Sequence, residues 1–160
     1  SPYIELPKKL TVKQNLIVYG KLYSVLNLEK RIEYLAEKLR LEDLLNKITG
    51  ELSSGQKNRA SLAKALINEP GVLFLDEPTA SLDPETGDFV RTFLENYKKE
   101  KKISILLASH NMDEVTRLCS SILMMKDGII IDQGKPTELI AKHGRKNLEE
   151  VFLKLTRNKK

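Results

Sequence analysis

Apolar positions follow a helical rhythm over the first part of the chain. Thr11-Val12-Lys13-Gln14 has the order of a capping box, and Val12, Leu16, Tyr19, Tyr23 and Leu26 recur at steps of four and three, which predicts one apolar helical stripe. Leu28, Ile32, Leu35 and Leu39 repeat the stripe in a second helix. A short third helix around Glu42 to Lys47 leads into a break at Thr49-Gly50. From residue 50 the pattern changes. A helix from about Gly55 to Asn68, stopped by Pro70, runs into Val72-Leu73-Phe74-Leu75, which reads as a buried strand. A helix from about Pro84 to Lys101 precedes a second apolar burst, Ile103 to Ala108, and this strand, helix, strand order predicts a parallel sheet covered by helices. Asp127-Gly128, between Ile122-Leu123-Met124-Met125 and Ile129-Ile130-Ile131, is a hairpin signal. Helices from Pro136 to Lys142 and from Leu148 to Leu155 follow, and Arg157-Asn158-Lys159-Lys160 is expected to fray. There is no internal repeat and no low-complexity linker.

Composition narrows the class. The 160 residues, 41% hydrophobic and 31% charged, suit an ordinary globular domain rather than a disordered chain. No stretch approaches the roughly 18 to 20 uninterrupted apolar residues of a membrane span, and the charged-then-apolar order of a signal peptide is not seen, so any membrane role is expected to come through a partner. Cys119 is the single cysteine; it cannot form an internal disulfide and reads as a small buried residue. The net charge of +5 is spread along the chain. Lys98, Lys99, Lys101 and Lys102 close a predicted helix, where cations suit the negative end of its dipole. The basic residues therefore read as a solvated face, and no direct nucleic-acid binding is expected.

Three short segments carry candidate chemistry. Leu73-Phe74-Leu75-Asp76-Glu77-Pro78 delivers two adjacent carboxylates to the C-terminal end of a strand, where open α/β sheets bind ligands. One carboxylate there can hold Mg²⁺ while its neighbour orients or deprotonates an attacking water; a helix cap after the strand is the structural alternative. Leu52-Ser53-Ser54-Gly55-Gln56 is a small-residue turn opening a helix, with N–H groups and the positive end of the dipole facing outward, which suits an anion; a plain N-cap is the alternative. Ser109-His110-Asn111 follows the second strand and puts His110 at the same sheet edge as Asp76 and Glu77, where a ring with both a donor and an acceptor can read a phosphate. His143 has only a structural reading.

In this order the segments resemble the ATP-binding cassette (ABC) family. Leu52 to Gln56 is similar to its signature motif, Asp76-Glu77 to the end of Walker B, Ser81-Leu82-Asp83 to the D-loop and His110 to the switch histidine. Arg59 to Leu66 resembles the signature helix, so the match runs from about residue 50 to 134, and Leu10 to Leu16 resembles the start of the family's helical subdomain. The resemblance implies an α/β fold: an incomplete P-loop NTPase (RecA-like) parallel sheet plus the ABC helical subdomain. Its expected divisions are residues 1–50, a helical subdomain; 51–135, the signature helix and the Walker B and switch half of the core; and 136–160, C-terminal helices and tail. The cofactors implied are ATP and Mg²⁺. Asp76 would hold the Mg²⁺ shell, Glu77 would polarise the water and His110 would contact the γ-phosphate. Ser53, Ser54, Gly55 and Gln56 belong to the turn facing ATP on the opposite subunit of a head-to-tail dimer, across which Asp83 would communicate. Ser54 departs from the commoner glycine of the signature motif; it is small enough to be tolerated, with a stiffer backbone.

No Gly-x-x-x-x-Gly-Lys-[Ser/Thr] pattern includes any of the eight glycines, and Ser1-Pro2-Tyr3-Ile4-Glu5-Leu6-Pro7 would fall just after the family's Q-loop glutamine. The expectation is therefore a fragment lacking Walker A, with apolar surface and a strand edge exposed and negligible ATP hydrolysis on its own. The resemblance implies the ATP-hydrolysing motor of a transporter, peripheral to the membrane on its cytoplasmic side through a transmembrane partner. Asn147 to Phe152 resembles the ending of ATPases that serve exporters of drugs or lipids. The alternatives are a non-transport ABC ATPase acting on ribosome or nucleic acid, consistent with the pI of about 9.2, and a catalytically silent scaffold, against which Glu77 and His110 argue.

Overall fold

Thr11 opens the first helix as its neighbours predict: its hydroxyl accepts from the Gln14 N–H at 3.1 Å, and the Gln14 side chain accepts from the Thr11 N–H at 2.9 Å. In the computed structural model, which describes residues 6–80 and 82–157, α1 spans Val12–Leu22. It ends short of Leu26. Ser24 turns left-handed at φ 53° and the Val25 N–H bonds Gly20 O at 2.9 Å, a closing motif that reverses the chain, so Tyr23 and Leu26 are exposed and the stripe stops inside the helix. Ser1 to Glu5, Ser81 of the expected D-loop and Asn158 to Lys160 lie outside the described residues.

Helix α2 (Leu28–Leu39) buries Ile32, Leu35 and Leu39 of the expected stripe together with Ala36, while Leu28 at its start is half-buried. The third helix expected over Glu42 to Lys47 is instead one 3₁₀ turn, Glu42–Leu44. Leu45 O and Lys47 O accept the Lys13 and Val12 N–H groups at 2.8 and 3.1 Å, so these carbonyls serve the start of α1 and are withdrawn from any helix of their own. Helix α3 (Ser54–Leu66) packs on α1 and α2 and ends ahead of Pro70 as predicted.

Strand β1 (Val72–Asp76), helix α4 (Pro84–Lys101) and strand β2 (Ser104–Ala108) follow in the predicted order. The strands pair in parallel, with Val72 opposite Ser104 and Asp76 opposite Ala108. β1 is not buried on both faces, however. Leu73 and Leu75 point into the core, whereas Val72 and Phe74 are 52% and 71% exposed. An unbroken apolar run does not say which of its two faces is covered, because successive side chains alternate. Leu106 of β2, opposite Phe74, is exposed as well, so the described residues do present the apolar surface expected of the sheet.

The chain forms two compact units, Ser1–Ala108 and Ser109–Lys160. The second opens with α5 (Met112–Leu118), a short helix that apolar periodicity alone does not reveal. Strands β3 (Ile122–Lys126) and β4 (Ile129–Gly134) then form the predicted hairpin, Asp127 and Gly128 both taking positive φ as a type I′ turn requires. Helices α6 (Pro136–His143) and α7 (Leu148–Arg157) complete the unit. Val115, Ile122, Met124, Leu139, Leu148 and Val151 make its core, with Cys119 partly buried against them.

Asp132 supplies this unit with an acid-sensitive contact. Its side chain, 8% exposed, accepts from Lys142 Nζ at 2.7 Å and lies 2.5 Å from Nε2 of His143, the histidine with no functional reading. The bonds from Lys142 and His143 hold its pKa down to about 2, against an ordinary 3.8. A carboxyl depressed in the folded state adds stability above its unfolded pKa, and that stability is lost as pH falls through the folded value. Asp132→Asn is therefore expected to be less stable than the parent at neutral pH, the two converging between about pH 4 and pH 2. Urea unfolding followed across that window checks this; a constant difference between the two proteins would remove the ionised carboxylate as the cause.

Candidate functional site

Ser53 caps α3 through a reciprocal pair of bonds. Its hydroxyl accepts from the Gln56 N–H at 3.3 Å and its own N–H donates to the Gln56 side chain at 3.0 Å. Leu52 is buried beneath the turn while Ser53 and Ser54 are exposed; the capping pair occupies the Ser53 and Gln56 N–H groups, so the donors of the first turn are those of Ser54 and Gly55. The N-cap is thus present, and it leaves the Ser53 hydroxyl proton as a donor. Ser54 is the first residue of α3 and has no positive φ, which removes any need for glycine there. Gly55 is constrained by space: a Cβ on it would stand 3.3 Å from Thr86 Cγ2 at the start of α4.

The two carboxylates sit where β1 ends. Asp76 is exposed and paired in register with Ala108, the last residue of β2. Glu77 has left the strand at φ 48°, a left-handed conformation that costs a residue with a Cβ roughly 1–3 kcal/mol. Its N–H donates to Ala108 O at 2.9 Å, and the Ala80 N–H donates to Glu77 O at 3.1 Å. Asn58, in the second turn of α3, donates its side-chain amide to Pro78 O at 2.7 Å. Sequence reading passes over Asn58, because nothing local links it to a segment twenty positions away.

Asp83 caps α4 ahead of Pro84, accepting from the Thr86 N–H at 2.9 Å. The Thr86 hydroxyl, then its N–H, hold the Asp83 carboxyl below the ordinary carboxylate range. The first unit therefore brings the Ser53 to Gln56 turn, Asp76, Glu77 and Asp83 onto neighbouring elements. His110 is exposed and belongs to the second unit, two positions beyond β2. Its flanks are held from α5: the Ser109 hydroxyl donates to the fully buried Glu114 at 2.6 Å, the Asn111 N–H donates to Ser109 Oγ at 3.1 Å, and Asn111 accepts from the Glu114 N–H at 3.0 Å. Asn111 followed by Asp113 and Glu114 is an N-terminal helix signal that marks α5 in the sequence.

Among the described residues no group of three or more His, Cys, Asp or Glu side chains gathers to hold a metal. Asp76 fits Mg²⁺ in the manner that ion favours, through one or two carboxylates with substrate phosphates and water completing the shell.

A family model described as "ABC transporter" matches residues 3–80. The ABC transporter ATP-binding protein NatA of Bacillus subtilis (strain 168) is 34% identical over 147 residues, covering 91% of this chain and 59% of NatA. The chain belongs to the ATP-binding cassette family. A solved ATP-binding subunit of an ABC transporter superposes with a TM-score of 0.82 at 26% identity, over 95% of this chain and 65% of its own. A dimeric ATP-binding cassette in a post-hydrolysis state, bound to ADP and Pi, superposes with a TM-score of 0.73 at 26% identity, over 81% of this chain and 58% of its own. The chain thus spans about 60% of the length of these ABC relatives. The parallel β1–β2 pair and the α1 to α3 cluster are parts of an ABC ATPase fold.

Proposed function

We propose that the whole protein carrying this chain is the ATP-hydrolysing motor of an ABC transporter. The observation that carries this is the pair Asp76-Glu77 at the C-terminal end of a parallel strand, bonded through Pro78 to the helix that the Ser53 turn caps. Asp76 would hold Mg²⁺, which when bound offsets the charge of the phosphates. Glu77 accepts a hydrogen bond from the attacking water and takes its proton as the new oxygen bond to the γ-phosphorus forms and the bridging P–O bond to the β-phosphate breaks, with ADP as the leaving group. His110 donates to the γ-phosphate oxygen and so distinguishes an occupied site from an empty one. The turn of Ser53, Ser54, Gly55 and Gln56 meets the nucleotide of a second ABC ATPase domain through the Ser54 and Gly55 N–H groups and the serine hydroxyls at a helix N-terminus, and Asp83 lies at the boundary with that domain. The naming of NatA as a transporter's ATP-binding protein supports a transmembrane partner and a place on the cytoplasmic membrane face. Among the described residues no helix is long and apolar enough to cross a membrane.

Mg²⁺-dependent ATP turnover measured on the whole protein, with this chain in parallel, tests the reading. Turnover is expected in the whole protein and absent from the chain, whose sequence contains no Gly-x-x-x-x-Gly-Lys-[Ser/Thr] loop. A whole protein inactive at saturating ATP, even in the presence of its membrane partner, overturns it.

A further inference from the structure

Glu77 stands in a backbone conformation that its own sequence disfavours. At φ 48° a side chain with a Cβ is strained, and the proline that follows biases residue 77 toward extended backbone. Such a conformation persists only where its surroundings over-determine it. Three bonds do so. Two are backbone contacts already described, from the Glu77 N–H to Ala108 O and from the Ala80 N–H to Glu77 O. The third comes from another element: the Asn58 amide on α3 donates at 2.7 Å to the carbonyl of Pro78, a buried residue. That carbonyl is a pure acceptor, so the NH₂ end of Asn58 must face it.

We propose that Asn58 is a positioning residue for Glu77. It ties the signature helix to the peptide that follows the carboxylate. A shift of α3 along or away from this bond moves Pro78 O, and with it the strained turn that aims Glu77. The inference rests on the ATPase reading above and extends it: the helix whose first turn faces the opposite subunit's nucleotide is joined, within one chain, to the group that activates water in its own site. Asn58 acts through Glu77 and touches no reacting atom.

Three substitutions in the whole protein separate this role from simple packing. Asn58→Asp keeps the shape but replaces the donor with an acceptor facing a carbonyl, Asn58→Leu keeps the volume without any donor, and Asn58→Gln keeps an amide. The Asp and Leu variants are expected to lose about tenfold in kcat, with KM for ATP within about twofold of the parent, because a misaimed group slows the chemical step while binding is retained. The Gln variant should lie nearer the parent. Amide exchange followed by mass spectrometry provides a second readout: residues 77–80 should exchange faster in the Asp and Leu variants, with protection along α3 unchanged. Unchanged kcat in both variants overturns the proposal, as does a loss seen only together with exchange along the whole of α3. If the parent protein shows no ATP turnover, the ATPase reading fails by itself; the exchange at 77–80 then decides whether Asn58 holds the turn, and no change there overturns it.

Discussion

Glu77→Gln is expected to lower the ATP turnover of the whole protein by roughly 10²–10⁴-fold while leaving ATP affinity close to that of the parent. Glutamine matches glutamate in length and shape and has the same backbone preferences, so the turn at φ 48° and its bonds to Ala108 and Ala80 survive the change. The ability to take a proton is lost. On the proposed reading Asp76, which would hold Mg²⁺, is untouched, so ATP and Mg²⁺ binding are expected to persist and the loss to fall on kcat rather than on KM. Steady-state turnover and nucleotide binding, measured on the same preparations, check this. A variant retaining half of the parent's kcat would remove Glu77 from the role of base.

The second large effect is one of stability. Arg31, with its side chain 10% exposed, reaches from α2 to two other helices and to the loop after α3. Its guanidinium donates to Leu66 O at 2.6 Å and Ile67 O at 3.3 Å, the closing carbonyls of α3, and to the Tyr97 hydroxyl of α4 at 3.0 Å, besides pairing with Glu69 at 3.0 Å. Glu69 is 56% exposed, so the ion pair itself contributes little. The carbonyls matter more. Leu66 O keeps the Glu69 N–H at 3.1 Å, but losing the charged donor that it shares with Ile67 O and the Tyr97 hydroxyl costs about 1–3 kcal/mol. Arg31→Ala is expected to lower stability by that amount in urea unfolding of the first unit. Arg31→Lys should recover less than half, because a point ammonium cannot span acceptors set out for a planar fork. Equal stability of Arg31→Lys and the parent would show that charge alone, without the geometry, is what this position supplies.

Much of the architecture was legible because it is enforced over short distances. Thr11 with Gln14, Ser53 with Gln56, and Asp127-Gly128 each close a cap or a turn through residues at most three apart, and the helix starts and hairpin they predict are present. Asp76 and Glu77 stand out as candidates because two carboxylates at the end of an apolar run are visible as a string. The errors arose where distant partners intervene. The expected helix at Glu42 to Lys47 yields its carbonyls to Val12 and Lys13, and the stripe through Leu26 is cut by a left-handed Ser24.

The sequence by itself determined the element order, most of the caps and the chemistry available at the strand end, since each depends on neighbours along the chain. Only the tertiary structure decided which face of β1 is covered, that Asn58 bonds Pro78 twenty positions away, that Arg31 joins Tyr97 across 66 positions, and that Glu77 adopts a backbone its own residue type disfavours. The reason is physical. Local bonds compete against the freedom of a few residues, whereas a strained turn or a shared donor is stable only once packing has brought remote elements together and made the alternative conformations more costly.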